Sequence, residues 1–156
     1  MIFKVILYFC NHYNFIIITE MEVTMEAVTL LKRNDIRPSH IRILAIEYLQ
    51  AHHTHPTAQE VYLALSKKLP TLSQTSVYNT LHLLAKNHII SEVTIDPEKV
   101  RYDYNTELHG HFKCECCSNV WDFAVNNVQT SLSQEFDIKT KDIFFTGICE
   151  KCKNSI

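Results

Sequence analysis

Apolar residues recur at helical spacing over the first half of the chain beyond residue 25 and at strand-like spacing afterwards. Residues 26–33 predict a short first helix. Ser39 can cap a second, whose apolar residues Ile41, Leu44, Ala45, Tyr48 and Leu49 share one face. His55-Pro56 breaks the pattern, because a proline disfavours helical backbone in the residue before it. Thr57 and Glu60 then stand at the spacing of a capping box. They open a third helix with Ala58, Val61, Tyr62, Leu65 and Leu69 inward and Pro70 as its stop. Ser73 caps a fourth. In it Val77, Leu81 and Leu84 form the inner stripe, and Thr75, Asn79, His82 and Lys86 point the opposite way. Two strand-like runs, 91–95 and 100–104, flank Asp96-Pro97-Glu98-Lys99 and predict a hairpin. Three helices, a fourth and a hairpin are the order of a winged helix.

From residue 105 the pattern changes. Strands are predicted over 112–114, 120–125 and 143–148. Val128, Leu132 and Phe136 predict a helix over 125–136. The fold class is therefore α+β, with a winged helix over 25–104, hinge included, and a small α/β domain over 105–156. The latter is too short for a large core, and small domains need a staple.

Composition narrows the class. Hydrophobic residues at 46% and charged residues at 21% exclude a disordered chain, and 2 Gly with 4 Pro leave no low-complexity linker. The net charge of −2 does not by itself point to nucleic acid. Residues 25–104 carry nine Lys/Arg against eight Asp/Glu, net +1, and residues 105–156 carry five against seven, net −2. The first half is thus the better candidate to meet phosphate. The outer face of the fourth helix has two readings: an ordinary solvated face, or side chains presented to base edges in a major groove.

Residues 1–24 stand apart. The run to Ile18 is very apolar, yet Asn11, His12 and Asn14 interrupt it, and no small-residue cleavage site follows. Neither a secretory signal nor a membrane span is expected, and the chain is read as cytoplasmic. Met21-Glu22-Val23 can be encoded by ATGGAGGTN, which contains a ribosome-binding sequence just ahead of Met25. We expect translation to start at Met25. Peptides from residues 1–20 in the mass spectrum of the native protein would refute this.

Five of the six cysteines crowd into the last 43 residues. Cys114 and Cys117 form one C-x-x-C and Cys149 and Cys152 another, with 31 residues between them. Each such turn lets two thiolates approach one ion from one side, and two turns complete a tetrahedral sulfur site that favours zinc. A pair of redox dithiols is the alternative. Cys116 is the extra thiol, read as a small, partly buried residue. A second constellation comprises Asp103, His109, His111 and Asp122, with His55 upstream. His-x-His on a strand puts both imidazoles on one side. Two imidazoles with carboxylates suit iron, manganese or zinc. Read from spacing alone, these are equally well independent surface groups. A catalytic zinc needs an open coordination position and a base. The four-cysteine set is closed and the chain has no H-E-x-x-H, so an enzyme is not expected.

HPTAQEVY at 55–62, SVYNTL at 76–81, RYDY at 101–104, HGHFKCECC at 109–117, WD at 121–122 and CEKC at 149–152 resemble the ferric uptake regulator family in order and spacing. The match spans about residues 26–154. The resemblance implies a winged-helix DNA-binding domain, a C-terminal α/β dimerisation domain, and metal-dependent repression by a homodimer on double-stranded operator DNA. It implies structural Zn²⁺ on Cys114, Cys117, Cys149 and Cys152, and regulatory Fe²⁺ or Mn²⁺ on His55, Asp103, His109, His111 and Asp122. Iron-responsive members carry Glu where Asp122 stands and have further histidine ligands, whereas no histidine follows His111 here. The set therefore resembles the peroxide-responsive branch, in which Fe²⁺ reacts with hydrogen peroxide and ligating histidines are oxidised. His55 and His109 are the implied targets. A ferrous- or zinc-responsive uptake regulator is the alternative. The resemblance adds Ser76 and Tyr78 to the DNA-contacting set and makes Tyr78 and Asn79 the base-contact candidates, although Tyr78 has a competing role in packing. Two departures bear on these contacts. Ser39-His40-Ile41-Arg42 lacks the Gln of the family's Thr-x-Gln-Arg, and Gln74-Thr75-Ser76 stands where Ala-Thr is common.

Overall fold

The computed structural model describes residues 5–6, 18–129, 131, 136–138 and 140–154. Two short antiparallel strands, β1 (Val5–Ile6) and β2 (Ile18–Thr19), precede helix α1 (Glu20–Arg33). The rest of the apolar N-terminal run lies outside the described residues. Helix α1 begins six residues before the predicted start. Val23 is buried, and the Thr24 hydroxyl donates to the Glu47 carboxylate of the next helix at 2.5 Å. Tertiary contact thus extends a helix that periodicity alone began later.

Helices α2 (His40–Ala51), α3 (Ala58–Leu65) and α4 (Gln74–Lys86) follow. Ser39 precedes α2 but makes no side-chain capping bond. The α3 capping box is formed in full: Glu60 accepts from the Thr57 N–H at 2.6 Å, and Thr57 Oγ1 accepts from the Glu60 N–H at 3.3 Å. Helix α3 ends at Leu65, five residues before Pro70, and the chain turns over 66–68. Ser73 caps α4 by accepting from the Ser76 N–H. Helices α1 and α4 both close through a left-handed residue, Asp35 (φ 55°) and His88 (φ 54°). The N–H groups of Ile36 and Ile89 reach back to Leu31 and Leu84, satisfying carbonyls that a helix end leaves free. The chain has only two glycines, so Asp and His take this role. One core holds the helices together. It is built around Leu31, Ile46, Leu49, Val61, Leu81 and Leu84, each contributing about 1.5–3 kcal/mol when fully buried.

Strands β3 (Ser91–Val93) and β4 (Arg101–Asp103) form the antiparallel hairpin, with Glu92 opposite Tyr102. The segment before α3 runs alongside it. Thr57 bridges Arg101, and the Tyr102 N–H donates to the Pro56 carbonyl at 3.0 Å. Beyond the hinge, β5 (His109–Cys114) is the central strand of a three-stranded sheet. It is antiparallel to β6 (Val120–Ala124) and parallel to β7 (Ile143–Gly147). A parallel neighbour requires a long crossover, which residues 125–142 supply. The helix expected over 125–136 does not form at 125–129, 131 or 136, which have no regular structure; its other positions lie outside the described residues. A short helix that the pattern did not predict, α5 (Glu150–Lys153), follows Cys149. The hairpin docks on one sheet face through Val93, Ile95, Val120 and Phe144, and Asp96 pairs with Lys113 at 3.2 Å. The opposite face presents exposed Trp121 and Phe145. Among the described residues no helix is long and apolar enough to cross a membrane.

Candidate metal centres and nucleic-acid face

Cys114 ends β5, and the turn after it carries Cys117. Ser118 adopts left-handed backbone (φ 59°) and its N–H donates to the Cys114 carbonyl at 2.9 Å, closing the turn. Parallel pairing brings the second motif alongside, with Cys114 opposite Gly147 and the Glu115 N–H on the Gly147 carbonyl at 2.8 Å. Cys149 then caps α5 and Cys152 lies within it. The four Sγ atoms lie within 4.8 Å of one another, and Cys117 and Cys149 stand 3.9 Å apart. Four sulfurs at ~2.3 Å from one tetrahedral zinc would be about 3.8 Å apart. Backbone N–H groups of Cys117 and Cys149 pull the Cys114 thiol down to about 6. The neighbouring Cys149 thiol, with burial, pushes Cys152 well above the ordinary range. Neighbouring thiols and burial thus oppose a thiolate at Cys152, and a divalent ion would offset that opposition. The donor set fits zinc. Cys116 is exposed rather than partly buried and lies outside the cluster.

The second group draws on four segments. His55 lies in the loop before α3 with left-handed backbone (φ 49°), whereas a residue before proline is expected to be extended. The Arg101 guanidinium donates to its carbonyl at 3.0 Å. Asp103 ends β4. His109 and His111 share one face of β5, and Asp122, paired with His111, projects from the same face of β6. His55 Nε2 is 2.7 Å from Asp122 Oδ1, His109 Nε2 is 3.0 Å from Asp103 Oδ2, and the Nε2 atoms of His109 and His111 are 3.0 Å apart. All five donor atoms lie within 4.8 Å of one another. His55, Asp103 and His111 are buried, and Asp122 remains 33% exposed.

Despite these short distances, His55 Nε2 and Asp103 Oδ2 have no geometrically satisfactory hydrogen-bond partner. Buried polar atoms left in this way are costly, and both lie within 4.8 Å of the other three donor atoms. The donor set fits a divalent ion with nitrogen and oxygen preference. Burial raises the Asp103 carboxyl, but the adjacent His111, the Asn105 N–H that donates to Oδ1, and the nearby His55 and His109 hold it below its usual range. His109 Nδ1 lies 2.7 Å from the Glu107 carbonyl, which sets the ring so that Nε2 faces the centre. An open cleft of about 280 Å³, lined in part by Val93, Leu108 and Asp142, reaches His109 and His111.

A profile of the ferric uptake regulator family matches residues 33–148. The chain belongs to the ferric uptake regulator family. The peroxide-responsive repressor PerR of Staphylococcus epidermidis is 33% identical over 133 residues, covering 82% of this chain and 89% of the relative. The protein of the same name from Staphylococcus aureus strain Mu50 is 32% identical over 134 residues, covering 83% and 90%. The solved ferric uptake regulator of Helicobacter pylori, described as having three functional metal binding sites, superimposes with a TM-score of 0.65 at 21% identity, covering 85% of this chain and 93% of that one. At that identity the likeness is one of fold. A zinc-bound manganese uptake regulator superimposes with a TM-score of 0.61, also at 21% identity, over 81% of this chain and 98% of that one.

Members of the ferric uptake regulator family are transcription regulators and not enzymes, and the chain is a metal-responsive transcription regulator of this family. Every side chain singled out on α4 for DNA is exposed: Thr75, Ser76, Tyr78, Asn79, His82 and Lys86. Tyr78 is 54% exposed, so it does not take the packing role open to it in the sequence. His82 faces the hairpin, 3.9 Å from Glu92. Motif reading missed three features: Arg101 as a hydrogen-bonding partner of His55, the pair Lys113–Asp96, and the exposed Trp121 and Phe145. Alternation along 120–124 carried a signal for Trp121. Nothing local signalled the first two.

Proposed function

We propose that this regulator is a homodimeric repressor that binds operator DNA in its metal-loaded form and senses hydrogen peroxide through iron-catalysed histidine oxidation. In this reading residues 25–104 are the DNA-binding domain with its hinge, and residues 105–156 the dimerisation and metal-binding domain. Residues 1–24 are an N-terminal extension whose last five residues open helix α1 and reach Glu47 of the helical half, and the protein works in the cytoplasm. Zn²⁺ on Cys114, Cys117, Cys149 and Cys152 staples the second domain. Fe²⁺ or Mn²⁺ is held by His55, Asp103, His109, His111 and Asp122. Thr75, Ser76, Tyr78, Asn79, His82 and Lys86 meet the DNA, and two copies of α4 would read an inverted repeat. The exposed face bearing Trp121 and Phe145 supplies the apolar surface for the second copy.

One observation carries this reading: His55 comes from the helical half, Asp122 and the His109/His111 pair from the sheet, and their donor atoms converge with Asp103 at the hinge. An ion there stabilises one orientation of the halves by its differential affinity for it. The two PerR relatives support the peroxide branch, as does the cleft that gives a small oxidant a path to His109. Ferrous iron, when bound, would catalyse oxygen transfer from hydrogen peroxide to a ring: the imidazole loses two electrons and gains one oxygen atom, and the other peroxide oxygen leaves as water. The residues' part is to hold the His55 and His109 rings beside the ion, where either ring can gain an oxygen atom and cease to be a good ligand.

The test uses DNA selected from a random-sequence pool by the zinc-containing protein in Mn²⁺. Binding is measured with Fe²⁺ or Mn²⁺, before and after a low dose of hydrogen peroxide, with peptide mass analysis of His55 and His109. The expected result is loss of binding in the Fe²⁺ form alone, with one oxygen added to either histidine. Unchanged binding and unmodified histidines would instead make the protein a metal-concentration sensor of the same family.

A further inference from the structure

Arg101 touches both halves of the molecule. On β4 it stands two residues before Asp103 and so shares its face, while Tyr102 between them is buried in the helical core. From there Nη1 donates to the His55 carbonyl at 3.0 Å and Nη2 to the Ser118 carbonyl at 3.5 Å. Both acceptors belong to residues in left-handed backbone, at φ 49° and 59°. Non-glycine residues persist in that region only where the surroundings hold them. His55 carries one donor of the histidine–aspartate centre, and Ser118 closes the turn that presents Cys114 and Cys117. One planar guanidinium fork thus fastens the backbone behind a ligand of one centre to the backbone behind two ligands of the other.

Resting on the two-centre reading above, we propose that Arg101 is a positioning residue that couples the two metal centres. Its hydrogen bonds go to backbone carbonyls and not to the metal-facing atoms. It fixes the peptide that aims His55 and the peptide that shapes the first cysteine turn, so that order imposed at one is felt at the other. A competing link exists in β5, which carries His109, His111 and Cys114 on one continuous strand. Replacing Arg101 leaves that strand intact, so the two routes are separable. Linkage makes the effect reciprocal: if the ion at the histidine–aspartate centre tightens the zinc site, the intact zinc site raises affinity for that ion.

The experiment measures zinc transfer from the full-length, zinc-loaded protein to a zinc-selective chromogenic chelator, with and without saturating Mn²⁺. Mn²⁺ affinity is read in parallel from the electron paramagnetic resonance signal of the free ion. In the wild type, Mn²⁺ is expected to slow zinc release about tenfold, within the usual range of coupling between sites. In Arg101→Gln, with the same starting zinc content, the slowing is expected to fall to about twofold or less, and Mn²⁺ affinity to drop about tenfold. Arg101→Lys, whose single ammonium cannot serve both carbonyls as the fork does, should restore part of the effect. Equal slowing in the wild type and both variants would overturn the proposal and assign the coupling to β5. A wild type that binds Mn²⁺ without slowing zinc release would overturn it too, while leaving the metal reading intact. A wild type that binds no Mn²⁺ would remove the regulatory centre and this proposal together. Should the glutamine variant lose its zinc on purification, the lysine variant carries the comparison, and slowing equal to the wild type overturns the proposal.

Discussion

Gly110 separates the two histidines of β5, and its missing side chain has a structural use. A Cβ there would lie 2.1 to 2.7 Å from three ring atoms of Phe123, the residue paired with it on β6. The ring cannot easily withdraw, because it stacks on Phe145 with centroids 4.9 Å apart. A strand glycine commonly marks such a close approach. Gly110→Ala must displace the stacked ring, an overpacking that costs about 1–3 kcal/mol. The expected outcome is a lower urea midpoint for the second half of the protein, with both imidazoles still on the same face. An unchanged midpoint would mean that the ring moves freely. The alternation of His109 and His111 was legible in the sequence, since a strand puts both on one side. The reason for the glycine was not, because it depends on which residue of β6 stands opposite. His55 illustrates the same limit. Its neighbour Pro56 announces a break in the helical pattern, but the left-handed backbone that aims the imidazole follows from contacts with Arg101, 46 positions away.

Among the elements, α2, α3 and α4 were readable because burial follows a 3.6-residue period, and the caps of α3 and α4 occur where Thr57 and Ser73 predict them. Tertiary terms defeated the local pattern elsewhere. Helix α1 starts at Glu20, supported by Val23 and Thr24, and α3 stops at Leu65, ahead of the proline taken as its terminus. The apolar spacing of Val128 and Phe136 resembles a helix face, yet both are exposed. The α3 cap also bears on the site, because Thr57 follows His55 by two residues and bridges Arg101. Thr57→Ala removes both the capping oxygen and a partner of Glu60. It is expected to cost about 1 kcal/mol, lowering the thermal midpoint and weakening Mn²⁺ binding modestly, as a Mn²⁺ titration would report. A lower midpoint with unaltered Mn²⁺ affinity would separate the cap from the placement of His55.

For the molecule as a whole, the two halves are sustained differently. Among the described residues, the helical half has a continuous core of sixteen buried residues, whereas the hairpin–sheet cluster contains three, Val93, Ile95 and Val120, with Phe144 against them. So small a core does not hold a three-stranded sheet without help, and the four-cysteine cluster ties the ends of β5 and β7 where help is needed. The paired motifs were sufficient to read this cluster from sequence, since two C-x-x-C turns supply a complete tetrahedron. The histidine–aspartate group was not recoverable from spacing alone. Its members come from a loop and three strands, and only the family resemblance joined them before the fold did. The same reasoning predicts an asymmetric failure. Cys117→Ser removes one of four thiolates, and structural zinc binding supplies folding free energy directly. Zinc content should fall sharply, the second half should unfold, and light scattering should report a monomer. Far-ultraviolet circular dichroism should retain most of the helical signal, because α1–α4 pack among themselves. Mn²⁺ binding should disappear with the sheet, since His109, His111 and Asp122 stand on it, although none of them has been changed. A stable, zinc-depleted dimer that still binds Mn²⁺ would contradict the staple, and would mean that the exposed aromatic face closes the second half by pairing without the metal.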